Sequence, residues 1–179
     1  MLQRQRMSWK RCLIISMVVF LYLLIFTSVG LTIGDDENSR SSLRGLKKLS
    51  VVVQMEEPAS NDFRKVGLTE DRIRTAVALK LQEAKIDVIY TQGPSSDTPI
   101  LHVELSGSRR NAKTFSFLVE VELWQKSILK RDPKVEVVTG TWSTGVFGSG
   151  PASNMGDDLM GLINSTMGNF IKAYLSVNS

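Results

Sequence analysis

The chain has 179 residues, of which 42% are hydrophobic and 22% are charged, so it is too rich in apolar side chains to be disordered throughout. Its formal charge of +4 would suggest an anionic partner, but four of its 22 basic residues precede residue 13 and residues 1–34 contain no acid. The rest of the chain holds 18 basic and 18 acidic residues. This neutral composition gives no support for nucleic-acid binding.

The chain has one cysteine and one histidine, Cys12 and His102. A single cysteine excludes an internal disulfide, and the pair is too small a set for the usual structural zinc sites. A nucleophilic enzyme needs a base beside its serine or cysteine, and His102 is the only histidine that could serve. We therefore expect no metal, no cofactor and no enzymatic activity.

The N-terminus carries the clearest signal in the sequence. Residues 13–33 form a run of 21 without a charge, which as a helix would be about 31 Å long and would cross a bilayer once. Four basic residues precede the run: Arg4, Arg6, Lys10 and Arg11. Because such charges stay in the cytoplasm, we expect the rest of the chain in the periplasm. Small residues at 28–30 and 32–34 also fit signal-peptidase cleavage, so residues 1–34 are either a retained inner-membrane anchor or a cleaved signal.

A polar segment follows, over residues 35–45 (DDENSRSSLRG), in which Leu43 is the only apolar residue. This composition is typical of flexible linkers. We therefore predict a flexible tether over 35–45 and a single domain over 46–179.

The spacing of apolar residues predicts the elements of that domain. Five strands are predicted, over about 49–55, 86–90, 100–106, 115–123 and 135–146. Two helices are predicted, over about 70–85 and 155–175. Thr69 would cap the first helix, and Leu68 would pack on Ile73. In the last strand the apolar parity changes at Val137 and Val138, which indicates a β-bulge, and residues 145–151 are predicted as a loop.

The element order is thus β-α-β-β-β-β-α, with one long crossover between the first two strands and tight hairpins among the later ones. This order predicts an α+β fold, a two-layer sandwich in which two helices cover one face of a mostly antiparallel five-stranded sheet. The odd-numbered residues of 115–123 would face the helices, and the even-numbered ones would lie on the open face.

An apolar cluster is the main candidate for a binding surface. Leu118 and Trp124 are predicted on the open face, and Val138 and Trp142 would join them if the neighbouring strand pairs in register. Exposed aliphatic and aromatic clusters of this kind often mark a partner or ligand surface. In the alternative arrangement the sheet is curled, or a bulge turns Trp142 inward.

Three weaker candidates have ordinary explanations. His102 and Glu104 share one strand face, as do Glu120 and Glu122, and both pairs are typical of a solvated sheet surface. The glycines of 145–150 could place a phosphate before a helix, but their order is G-x-x-G-x-G, and two aspartates follow in the first helical turn.

Four runs of the sequence carry a resemblance: LRGLKKLSVVV, GLTEDRIRTAVALKLQEAKIDV, FSFLVEVELWQKSILKRDP and TWSTG. Over about 43–177 the chain resembles a family of small uncharacterised bacterial exported proteins. Its layout resembles periplasmic accessory domains of envelope transport systems. The resemblance implies export and an αβ sandwich, and it carries over no catalytic residue.

Two functions fit these observations. The first is an exported, non-enzymatic binding or assembly accessory of the cell envelope, which contacts the membrane through 13–33 if uncleaved and holds a protein partner on its sheet. The alternative is a small-molecule or lipid-binding module, with the glycine-rich loop and Trp142 at its mouth.

Overall fold

The computed structural model describes residues 34–89 and 97–178. Four α-helices lie in these ranges: α1 (Glu37–Ser41), α2 (Ser60–Lys65), α3 (Glu70–Glu83) and α4 (Met155–Asn178), the last preceded by a short 3-10 helix over Ala152–Asn154. The strands are β1 (Lys48–Met55), β2 (Asp87–Val88), β3 (Ile100–Arg109), β4 (Thr114–Leu129) and β5 (Asp132–Pro151). The predicted membrane segment over 13–33 lies outside the described residues. No helix within the described ranges combines the length and apolar character needed to cross a bilayer.

The five strands form one sheet in the order β2-β1-β3-β4-β5. β1 is parallel to both of its neighbours, whereas β3, β4 and β5 form an antiparallel meander. The predicted α+β fold class is confirmed, because a five-stranded sheet is combined with helices that pack on it.

The alternation in β4 explains where the core lies. Four of its odd-numbered side chains are buried, namely Phe115, Val119, Val121 and Leu123, whereas all of its even-numbered side chains are half-buried or exposed. α2, α3 and α4 supply Phe63, Ile73 and Phe170 to the same core. Since each large apolar side chain contributes about 1.5–3 kcal/mol when fully buried, this layer of helices on one face stabilises the domain.

α3 begins where its sequence indicates and ends at Glu83, two residues before the predicted end. Thr69 Oγ1 accepts a hydrogen bond from the backbone N–H of Arg72 at 3.2 Å, which satisfies one of the free N–H groups of the first turn. Leu68 and Ile73, on either side of this cap, are both fully buried. The helix ends one residue before Ala84, and Lys85 follows with a φ of 61°.

Residues 35–45 are not a flexible tether, which corrects the prediction from composition. Asp36 caps α1, and Leu43 is fully buried in the core. The side chain of Asn178, at the end of α4, accepts from the N–H of Gly45 at 2.7 Å and donates to the carbonyl of Leu43 at 2.9 Å. The polar composition was misleading because polar side chains make these contacts, while one leucine supplies the apolar anchor.

Residues 145–151 are also not a loop. They form the end of β5 and pair with β4, so that Gly148 lies opposite Phe117. A Cβ atom at position 148 would lie 2.8 Å from the Phe117 ring, so glycine allows the ring to lie across the neighbouring strand. Gly148 therefore makes room for an aromatic side chain and does not mark a turn.

Candidate functional site

The open face of the sheet is the surface on the side away from α2, α3 and α4. It carries the even-numbered residues of β3 and β4 together with the β5 residues that pair with them. Three consecutive cross-strand rows of β3, β4 and β5 are Ser106, Leu118 and Phe147, then Glu104, Glu120 and Gly145, then His102, Glu122 and Ser143. The next row along contains Ile100, Trp124 and Gly140.

Three of the four predicted surface residues lie on the open face. Trp124 is 38% exposed and Val138 is 51% exposed, while Leu118 is half-buried. Their placement follows from the strand alternation, and their part in binding stays a prediction.

Trp142 does not belong to this surface, and its predicted place there is wrong. A bulge at Thr141 shifts the register, so that Leu123 pairs with Trp142 and Trp124 pairs with Gly140. The shift turns Trp142 inward, where it is 2% exposed and its ring meets that of Phe170 edge-on at 5.2 Å.

The indole N–H of Trp142 has a partner in the N-terminal segment. It donates to Asp35 Oδ1 at 3.0 Å, and Arg40 makes two further bonds to the same carboxylate, at 2.6 and 2.9 Å. The hydrogen bond from Arg40 is the largest cause that lowers the pKa of Asp35, and that from Trp142 also lowers it. Trp142 is therefore a core residue that fixes the start of the domain.

Phe147 was missed as a surface residue because it lies in the segment predicted as a loop. It is 59% exposed and pairs with Leu118, so the two form an apolar patch at the opposite end of the open face from Trp124 and Val138. The adjacent β-branched and aromatic residues Val146 and Phe147 are a weak strand signal that the neighbouring glycines obscure.

Between these apolar ends lies a row of carboxylates. Glu104 and Glu120 are directly opposed on β3 and β4, and Glu122 lies two residues further along β4. Partial burial, followed by repulsion from Glu122 and then Glu104, raises the pKa of Glu120. In the described ranges, neither Glu104 nor Glu120 has a cationic partner within ion-pair distance.

His102 lies beside this row and connects it to Trp124. Its Nε2 is 3.1 Å from Gln54 Oε1, its Nδ1 is 3.9 Å from Glu122 Oε2, and its ring centroid is 6.1 Å from that of Trp124. Trp124 Nε1 donates to Glu122 Oε2 at 2.8 Å. These contacts orient the indole on the open face.

The open face does not resemble a metal centre. No group of three or more His, Cys, Asp or Glu side chains in residues 34–89 and 97–178 is arranged to hold a metal ion. The carboxylates of the row project from one sheet surface and do not converge on a point from several elements.

The other face of the molecule has a groove of about 420 Å³ between α3 and α4. Its lining includes Lys80, Lys85, Ile171 and Leu175. The mouth that was predicted for a small-molecule site does not form, because residues 145–150 belong to β5 and Trp142 is buried. A phosphate position at these glycines, which their order and the following aspartates already disfavour, does not form here either, because residues 145–150 are part of a strand.

No family model and no curated protein matches the chain. Among solved structures, a minor lipoprotein from Acinetobacter baumannii is 11% identical with a TM-score of 0.32, covering 71% of this chain and 91% of the lipoprotein. Rare lipoprotein B from Shewanella oneidensis is 10% identical with a TM-score of 0.34, covering 71% of this chain and 94% of that protein. At these TM-scores the likenesses carry no function over to this chain, and the family resemblance stays a prediction from the sequence.

Proposed function

We propose that this protein is an exported, non-enzymatic binding or assembly accessory of the cell envelope, which holds a protein partner on the open face of its sheet. The observation that supports the proposal most directly is the exposure of Trp124, Val138 and Phe147 on one sheet face, while the helices pack on the other. Exposed aromatic and aliphatic side chains that share one surface are typical of partner contacts.

The proposal is non-enzymatic because the polar groups of the open face lie on one surface and do not surround a cleft. His102, the only histidine in the sequence, lies 3.1 Å from Gln54 Oε1 and 3.9 Å from Glu122 Oε2. Neither an amide nor a carboxylate is the hydroxyl or thiol that a histidine base activates in nucleophilic catalysis.

The location in the envelope rests on the sequence, with basic residues before the apolar run over 13–33. If that run is retained as a membrane anchor, the contacts of Gly34 determine which edge of the sheet lies near the membrane. Gly34 comes directly after it, and the Gly34 carbonyl accepts a hydrogen bond from the backbone N–H of Ser143 in β5 at 3.5 Å. A retained anchor would therefore hold the β5 edge close to the membrane.

Affinity purification of the tagged full-length chain from native membranes tests the proposal. We expect a protein to co-purify with the wild type, to be lost with Trp124→Ala, and to be kept with Leu79→Ala. Leu79 is the matched control because it is 56% exposed and lies on α3, away from the open face. Equal recovery with both variants would contradict the proposed surface.

The alternative function, a small-molecule or lipid-binding module, would use the groove between α3 and α4. A small molecule that co-purifies in native mass spectrometry and is lost on Ile171→Glu would favour it over the protein-binding proposal.

A further inference from the structure

The open face has two apolar ends with the row of carboxylates, Glu104, Glu120 and Glu122, between them. This combination restricts what can bind there. Leu118 and Phe147 form one end, and Trp124 with Val138 forms the other. From Leu118 to Trp124 the distance along β4 is about 20 Å, at about 3.3 Å per residue. A polypeptide segment of six or more residues is long enough to reach both ends.

Repulsion between the carboxylates of the row destabilises the isolated domain. Like charges that are directly opposed across a sheet destabilise it, and Glu104 and Glu120 are opposed in register. The pKa of Glu120 is raised first by partial burial and then by repulsion from Glu122 and Glu104. A cation placed over this row would relieve the repulsion and would become partly desolvated by the apolar ends.

In the described ranges only His102 lies near the row, 3.9 Å from Glu122, and no Lys or Arg side chain lies within ion-pair distance of Glu104, Glu120 or Glu122. The nearest basic group along β4, Lys126, is bonded to Glu136 at 2.5 Å and lies 3.5 Å from Asp97. Residues 90–96 contain no charged residue, and the basic residues of 1–12 precede the predicted membrane span. The cation would therefore come from another molecule.

The charge of the row also indicates which kind of molecule can bind the open face. A second copy in face-to-face contact would bring two acidic rows together, and nucleic acid or an anionic membrane would be repelled by the same carboxylates. Resting on the proposed function, we infer that the partner segment is basic, with Arg or Lys side chains between apolar ones, and that it lies along β4 with its cations over Glu104, Glu120 and Glu122.

A peptide pair tests this inference directly on the full-length chain in a neutral detergent. The probes are two labelled 12-residue peptides, one alternating Arg with Leu and one alternating Glu with Leu, and the measurement is fluorescence anisotropy. We expect the Arg peptide to bind, with a Kd that rises at higher salt, and the Glu peptide not to bind.

Matched variants locate the binding. Glu104→Gln with Glu120→Gln should raise the Kd of the Arg peptide about threefold to tenfold, because two partly screened charge pairs are lost. Glu83→Gln is the control, since it removes a charge from an exposed glutamate of α3 on the opposite side of the sheet. A Kd that changes equally in both variants, or that does not change in the double variant, would overturn the inference.

The same variants in the affinity purification separate this inference from the proposed function. Loss of the co-purifying protein with Trp124→Ala and with the double glutamine variant supports both. Loss with Trp124→Ala alone leaves the proposed function in place and contradicts a basic partner. Binding of vesicles that contain anionic lipid, reduced by Trp124→Ala, would overturn the inference in favour of a membrane.

Discussion

Substitutions at Phe115 and Trp124 should have very different effects on stability, although both are aromatic residues of β4. Phe115 is 1% exposed, and its ring meets that of Phe63 edge-on at 5.5 Å, so it joins the sheet to α2. Trp124 is 38% exposed on the other face, where its indole N–H bonds only to Glu122. Substitutions at these two positions therefore test which face of the sheet is covered by helices and which face is open.

Phe115→Ala removes a buried ring and leaves a cavity, which costs about 3–5 kcal/mol of unfolding free energy. Trp124→Ala should cost no more than about 1 kcal/mol, because its ring is partly exposed and its one bond lies in solvent. Phe117 is only half-buried, so the cost of Phe117→Ala should fall between these values.

Urea unfolding of a chain that begins at Gly34, monitored by circular dichroism, measures these differences in unfolding free energy. The slope of the free energy with urea should be the same for all variants, so that the midpoints report stability. Equal destabilisation by Phe115→Ala and Trp124→Ala would refute the assignment of the two faces.

Three further outcomes follow from local contacts. Asp35→Ala should lower stability by about 1–3 kcal/mol at neutral pH, because the buried Trp142 indole N–H loses its acceptor. The pKa of Asp35 is lowered in the folded state, so its ionised form stabilises the fold. The stability difference between wild type and Asp35→Ala should therefore be full above the usual pKa of an aspartate and should shrink as the pH falls below about 4. Urea midpoints at several pH values measure this difference. Glu120→Gln should raise stability by up to about 1 kcal/mol at neutral pH, because the raised pKa of Glu120 means that its ionised form opposes folding. The gain should be smaller at acidic pH, where Glu120 is protonated. An unchanged or lower melting temperature at pH 7 would contradict this. Thr69→Ala should cost about 0.5–2 kcal/mol by removing the cap on the Arg72 N–H, whereas Thr139→Ala, at an exposed position of β5, should change the melting temperature little.

The sequence predicts the elements whose periodicity is strong. The alternation of β4 and the capped, amphipathic α3 set which side chains are buried, so the fold class and the buried face follow from local patterns. The change of parity near Val138 indicates a bulge, but pattern alone does not place it at Thr141. That one position decides whether Trp142 lies in the core or on the surface.

The remaining differences arise from long-range contacts. Leu43 is buried by elements that are distant in sequence, and no local pattern shows that a polar segment contains a core anchor. Likewise, Gly148 looks like a turn residue until its partner Phe117 is known, and Phe147 is then found on the open face. The direct opposition of Glu104 and Glu120 depends on the register between β3 and β4, which the sequence does not specify.

Site-specific photo-cross-linking in intact cells tests the central claim that the open face holds a protein partner. A photoreactive amino acid is placed in the full-length chain at Val138, which is 51% exposed on the open face, or at Leu79 on α3 as the control. The account predicts a discrete protein adduct from position 138 that Trp124→Ala removes, and none from position 79. No adduct at 138, or the same adduct from both positions, would contradict it.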